Sequence, residues 1–233
     1  MATLAVRNLS KSYGGVRALA GVSFDVAAGE MVAMIGPNGA GKTTCFNVLN
    51  GQLSPDAGEV LLDSISLLGR APHRIARLGV GRTFQVAATF GSMTARENVR
   101  VALQAHHLRD DAAVFLDRVG VRGLADTPCA ALAYGDLKRV ELAIVLAHRP
   151  RLLLMDEPTA GMAPEERDSL MKLAAELARG ENIAVLFTEH DMDVVFGFAD
   201  RVIALHLGEL IAEGPPEQVR NDARLREVYL GDA

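Results

Sequence analysis

Apolar and polar positions along the 233-residue chain alternate in two rhythms. Short continuous apolar runs of strand length recur between longer segments whose apolar positions fall at helical spacing. EMVAMIG (30–36) reads as a buried strand, and GKTTCFNVLNGQL after it as a helix. RLLLMD (151–156) and NIAVLFTEH (182–190) read as two further buried strands. Between them, EERDSLMKLAAELARG (165–180) predicts an amphipathic helix with Gly180 as its C-cap. RVIALHLGELIAEG (201–214) predicts a hairpin turning near Gly208. The start, MATLAVRNLSKSYGG, alternates like a half-buried strand and is assigned to an N-terminal antiparallel β portion. The middle differs, because residues 86–148 contain no strong strand run. There Thr94 and Glu97 form a Thr-x-x-Glu capping box that opens a helix over 95–107. Strands alternating with helices make an α/β fold with a mostly parallel sheet. The expected organisation is a single domain over 1–233, with 86–148 as an inserted helical subdomain.

Composition narrows the picture. Hydrophobic residues make up 49% of the chain, enough for one sizeable core. A formal net charge of -5 gives no global attraction to nucleic acid or anionic lipid. The longest apolar runs, such as IAVLF (183–187), fall far short of the ~20 residues of a membrane helix. The N-terminus lacks the basic start and apolar core of a signal peptide. Cys45 and Cys129 are too few for a disulfide framework and read as reduced structural thiols of a cytosolic protein. Work at a membrane would need another subunit to hold the chain there.

One stretch carries specific chemistry. GPNGAGKTT (36–44) matches G-x-x-x-x-G-K-[ST] in full, between a predicted strand and a predicted helix. Its glycines let backbone N–H groups form an anion nest at a helix N-terminus. Gly36, Pro37, Asn38, Gly39, Ala40, Gly41, Lys42, Thr43 and Thr44 are therefore the candidate phosphate-binding residues. Lys42 is placed to reach the β- and γ-phosphates, and the Thr43 hydroxyl to ligate Mg²⁺. In LLLMDEP (152–158) an apolar strand ends in Asp156, whose carboxylate can sit near the metal. Glu157 follows, is expected on the other side of the strand end, and suits polarising an attacking water. An apolar strand ending in Asp-Glu is by itself commonly structural; beside a P-loop the catalytic reading is preferred. The core is thus read as a P-loop NTPase. A GTPase of the Asn-Lys-x-Asp type is excluded, since that motif is absent.

Five more elements fall in order: Tyr13 in SKSYGG, Gln85 after GRTF, LAYGD (132–136), PTAGMAP (158–164) and His190 in TEHD. Their order resembles the ATP-binding subunits of ABC transporters over essentially the whole chain. RTFQ, LAYGD, EHDM and the tail GELIAEGPPEQVRND look most like the ATPases of branched-chain amino acid uptake systems. The resemblance implies that Tyr13 stacks on adenine and that Gln85 touches Mg²⁺ and the attacking water. It implies that His190 contacts the γ-phosphate. It further implies that Leu132, Ala133, Tyr134, Gly135 and Asp136 complete the ATP site of a second chain. With one copy of each motif, the chain then needs a homodimeric or heterodimeric partner. Also implied are an integral-membrane permease docked around 84–94, indirect work with a periplasmic solute-binding protein, and no nucleic acid. The location would be peripheral, on the cytoplasmic face of the inner membrane of a prokaryote. The alternatives are an ABC ATPase for another solute (an amide, an aromatic acid or an exported lipid) or a soluble non-transport ABC ATPase.

The chain departs from the family's usual Leu-Ser-Gly-Gly-Gln at three positions: Ala133, Tyr134 and Asp136. Asp136 is expected to cap the following helix, with Lys138 and Arg139 offsetting its charge. In PTAGMAP, Ala163 stands where the family usually has Asp. His106 and His107 could bind metal, but adjacent helical residues do not share a face, and a helix-end role is preferred. The basic run 69–82 is read as a solvated helix.

Overall fold

Strands and helices alternate along most of the chain, as the apolar rhythm predicts. The computed structural model describes residues 2–230. It opens with β1 (Ala2–Tyr13), β2 (Val16–Ala27) and β3 (Met31–Ile35), then α1 (Lys42–Leu49). Next come β4 (Ala57–Leu62), β5 (Ile65–Ser66), α2 (Pro72–Arg77) and β6 (Val80–Thr83). The middle holds α3 (Ala95–Ala105), α4 (Ala112–Arg118) and α5 (Tyr134–Leu146). After β7 (Leu152–Asp156) come α6 (Pro164–Glu181), β8 (Ala184–Thr188) and α7 (Met192–Phe198), and then the hairpin strands β9 (Arg201–His206) and β10 (Glu209–Gly214). Helices α8 (Pro216–Arg220) and α9 (Ala223–Leu230) come last.

The strands form two sheets. One is antiparallel, in the order β2-β1-β4-β5. The other runs β10-β9-β3-β8-β7-β6, parallel except for β10 at its edge. Every residue of β3 is buried. Its pleat divides them between two cores. Met31, Ala33 and Ile35 join the core beneath the helical middle of the chain. Val32 and Met34 join the core shared with α1 and the antiparallel sheet. Strands β7 and β8 divide in the same way: Leu153 and Phe187 face the first core, Leu154 and Leu186 the second. Burial on both faces is why these runs are continuously apolar rather than alternating.

Local chemistry explains most element ends. The Thr94 hydroxyl accepts from the Glu97 N–H at 3.2 Å, and the Glu97 carboxylate accepts from the Thr94 N–H at 2.8 Å. Two expectations need correction. Helix α6 passes through Gly180, and Asn182 takes the left-handed terminal position at φ 55°. Asn adopts that conformation at modest cost, so a glycine is not required there. The run 69–82 is helical only over Pro72–Arg77. Its last residues form β6, which pairs in parallel with β7. Val-Gly-Arg-Thr carries one large apolar side chain, too weak a pattern to announce a strand.

Phe187 is fully buried in β8. Phe187→Ala should lower the unfolding free energy by about 3–5 kcal/mol, read from urea denaturation.

Candidate functional site

In an open parallel sheet, ligand sites form outside the C-terminal ends of the strands, where the connecting loops converge. The loops after β3, β7 and β8 meet there in this protein. Residues 36–41 make a tight turn from β3 into α1. Gly36 stands at φ 151°, and a Cβ there would lie 2.2 Å from the Leu205 carbonyl oxygen. Gly41 stands at φ 109°, where a Cβ would lie 2.3 Å from the Ala18 carbonyl oxygen. Both positions require glycine on conformation and space together. Helix α1 then starts without a side-chain cap. Its first-turn N–H groups lack intrahelical acceptors and are placed to receive an anion. Lys42 is 9% exposed and donates to the carbonyls of Gly36 and, at 3.2 Å, Pro37. Burial pulls its pKa below the ordinary lysine value, while the charges of Glu157 and Asp156 act in the opposite sense.

Asp156 closes β7 and is held from two sides. Arg82 Nη2 donates to its Oδ2 at 2.8 Å, and the Thr188 hydroxyl donates to its Oδ1 at 3.0 Å. Arg82 also donates to Asn47 Oδ1 of α1 at 2.8 Å, and its guanidinium lies 5.1 Å from the Phe84 ring centre. Glu157 does not continue the strand's alternation. It turns into the left-handed region at φ 45°, and its N–H bonds the Thr188 carbonyl oxygen at 3.1 Å. That uncommon conformation for a residue with a side chain separates the two neighbouring carboxylates. The Glu157 carboxylate then collects two partners. Gln85 Nε2 donates to Oε2 at 2.8 Å, and His190 Nε2 lies 2.9 Å from Oε1. An ionised carboxylate only accepts, so in that state Nε2 carries the proton of this bond. Residues from three separate loops thus converge on one carboxylate.

Tyr13, Ala18, Asn38, Lys42, Glu157 and His190 are among the residues lining one cleft of about 260 Å³. Tyr13 is 50% exposed at its rim, with Lys11 Nζ 5.9 Å from the ring centre. The LAYGD segment lies on a different cleft of about 270 Å³, lined by Gly135 and Asp136 with Arg139, Met162, Glu165 and Glu166. Here the structure corrects an expectation. The N-cap of α5 is Ala133, without a side-chain cap, and Asp136 falls inside the first turn. Lys138 instead pairs with Glu141, and Arg139 donates to the Val119 carbonyl and the Ser169 hydroxyl. Ala163 is the N-cap of α6, and its N–H reaches Glu166 Oε2 at 3.3 Å.

No His, Cys, Asp and Glu cluster suited to hold a metal ion occurs among the described residues. His106 stacks on His148 instead, with ring centres 4.1 Å apart. Both cysteines are buried, and burial pushes the Cys45 thiol up to about 12.

The sequence profile of the ABC transporter family matches residues 19–160. The chain belongs to this family. A second profile, of the branched-chain amino acid ATP-binding cassette transporters, matches residues 209–233, of which the last three lie outside the described residues. The chain is 39% identical to the high-affinity branched-chain amino acid transport ATP-binding protein BraF of Pseudomonas aeruginosa, over 99% of this chain and 98% of that protein. It is equally similar to the LivG protein of Escherichia coli K12, named for the same transport, with the same coverage. Among solved structures it resembles the ADP conformation of MJ1267, an ATP-binding cassette of an ABC transporter. That match has a TM-score of 0.90 at 30% identity over 99% of both chains. The dimeric structure of MJ0796, a bacterial ABC transporter cassette, matches at TM-score 0.80 and 27% identity, over 91% of this chain and 98% of that one.

Two residues that hold this ABC cassette's site together escape a reading of its sequence. Arg82 sits in what looks like a basic run, and only the pairing of β6 with β7 brings it to Asp156. Thr188 gives a weak signal, as a hydroxyl at the end of an apolar strand just before His190.

His148 carries a pH consequence. Burial, then the neighbouring His106, lowers its pKa from 6.5 to about 4. Between those values the unfolded chain binds a proton that the folded chain excludes, so stability is lost as pH falls through that window. Urea unfolding at pH 7 and pH 5 should show this loss. His148→Phe, which keeps a stacking ring but cannot titrate, should reduce it.

Proposed function

We propose that this chain is the ATP-binding and ATP-hydrolysing subunit of an ABC importer that powers uptake of branched-chain or related amino acids through a separate permease. One observation carries the hydrolytic part: the Glu157 carboxylate, gripped by Gln85 and His190, lines the same cleft as the phosphate loop and Lys42. The loop amides and Lys42 would bind and orient the triphosphate, and Tyr13 would stack on the base. Glu157 would take a proton from the attacking water, while Gln85 and His190 hold it in place. Thr43 and Asp156 offer hard oxygen donors that fit Mg²⁺, with Gln85 at the same edge. Asp156 accepts one bond on each oxygen and keeps lone pairs for a cation. When bound, the ion would neutralise phosphate charge.

Assembly follows from the two separate clefts. The phosphate loop lines one cleft and Gly135 and Asp136 of the signature line another, so each ATP would be completed by the signature of a second cassette, identical or paralogous. Ala133 lacks the hydroxyl that a serine would offer the phosphate. A hydrogen bond to a charged group is worth about 1.5–3 kcal/mol, so beside a paralogue whose signature keeps a serine, this signature would make the weaker of the two sites. No helix among the described residues is long and apolar enough to cross a membrane. A permease would hold the chain at the cytoplasmic face, seated on the apolar groove lined by Ile75, Val80, Phe84, Ala88 and Ile144. Val86 and Phe90, 77% and 57% exposed, extend that apolar surface outward. The similarity to BraF and LivG supports branched-chain amino acids as the cargo.

Glu157→Gln should cut ATP hydrolysis by at least about a hundredfold while ATP binding persists. A parental turnover rate would refute the catalytic assignment. Phe90→Asp should release the chain from permease-containing membranes into the soluble fraction and abolish solute uptake into vesicles. Ala133→Ser should tighten ATP-driven dimerisation by roughly tenfold, measured by analytical ultracentrifugation.

A further inference from the structure

Residues 84–90 form neither strand nor helix, yet they carry Gln85 and leave Phe84, Val86 and Phe90 at the surface. Their backbone cannot rely on a ladder, so its polar groups must find other partners. Four of those groups bind side chains of one helix, α5. The Tyr134 hydroxyl donates to the Gln85 carbonyl at 2.9 Å. Lys138 Nζ donates to the Phe84 carbonyl. Glu141 Oε1 accepts from the N–H groups of Phe84 at 3.0 Å and Ala88 at 3.1 Å. Lys138 and Glu141 also pair with each other at 3.2 Å, with side chains only 2% and 3% exposed. Steps of four and three along a helix put Tyr134, Lys138 and Glu141 on one stripe. A fully buried ion pair is a poor way to gain stability, because desolvation offsets the attraction. Here both charges are spent on the backbone of one irregular segment.

We propose that Tyr134, Lys138 and Glu141 are positioning residues that fasten the Gln85 segment to the signature helix. Gln85, and through it the Glu157 carboxylate, then follows that helix as one body. This proposal rests on the reading of Glu157 as the base. Since the start of α5 would meet the ATP of the partner cassette, occupancy of one site would set the Gln85–Glu157 bond in the other. Tyr134 thereby gains a function at a position where the family's usual signature has glycine, which has no hydroxyl to donate.

Two variants of the full chain test the link. Tyr134→Phe removes one hydroxyl from a partly exposed ring. Lys138→Met combined with Glu141→Leu replaces the ion pair by apolar side chains of similar length, which protein interiors tolerate. Amide hydrogen exchange resolved at Phe84 and Ala88 should speed up about tenfold in the double variant. In Mg²⁺-ATP turnover, kcat should fall about fivefold in both variants while the KM for ATP stays within twofold of the parent. Parental exchange at Phe84 and Ala88 in the double variant overturns the fastening. A parental kcat in both variants, or a loss confined to KM, overturns the positioning role. If the parent chain hydrolyses no ATP, the functional reading itself has failed; the exchange measurement is independent of that result.

Discussion

Strand β3 has no side that meets water, and the rest of the molecule is arranged around that fact. A strand buried on both faces must be apolar at every position, and its polar chemistry can begin only where the strand ends. Gly36 follows at once, and the turn into α1 is made by glycines packed against backbone. Strands β7 and β8 obey the same constraint. Asp156 and Thr188 are their last residues, and Glu157 and His190 come just after. Lys42, Asp156, Glu157, Thr188 and His190 are therefore gathered at one sheet edge because the strands cannot hold them anywhere else.

Two adjacent carboxylates at that edge create an electrostatic problem that the geometry resolves. The left-handed turn at Glu157 sends the two side chains to different partners. Asp156 meets Arg82 and Thr188; Glu157 meets Gln85 and His190. Each carboxylate is hydrogen-bonded on both oxygens to partners of its own. Arg82 ties β6, α1 and β7 together through Asn47 and Asp156. A residue on a short, poorly marked strand thus steadies the Asp156 carboxylate.

The helical middle connects to this edge through backbone that has no regular structure. Asn98 of α3 binds the Phe90 N–H and carbonyl, while α5 holds Phe84, Gln85 and Ala88. The segment is anchored by side chains rather than by a ladder, so its position depends on where those two helices sit. Lys138, expected to offset the charge of Asp136, and Glu141 are instead among the most buried polar residues described.

The phosphate loop, the acidic strand end and the alternation of strands with helices were legible because each is local. Strand burial, glycine turns and capping boxes act over fewer than ten residues and leave a pattern in the chain. The strand Val80–Thr83, the partners of Arg82 and the burial of Lys138 and Glu141 were not legible. Their states depend on partners about 30 to 75 residues away for Arg82, such as Asn47 and Asp156, and on the packing of α5 against the 84–90 segment. The sequence by itself determined which groups could carry the chemistry, since that depends on residue type and local spacing. Only the tertiary structure decided which of them touch, since a buried charge takes whatever partner the folded chain brings within a hydrogen bond.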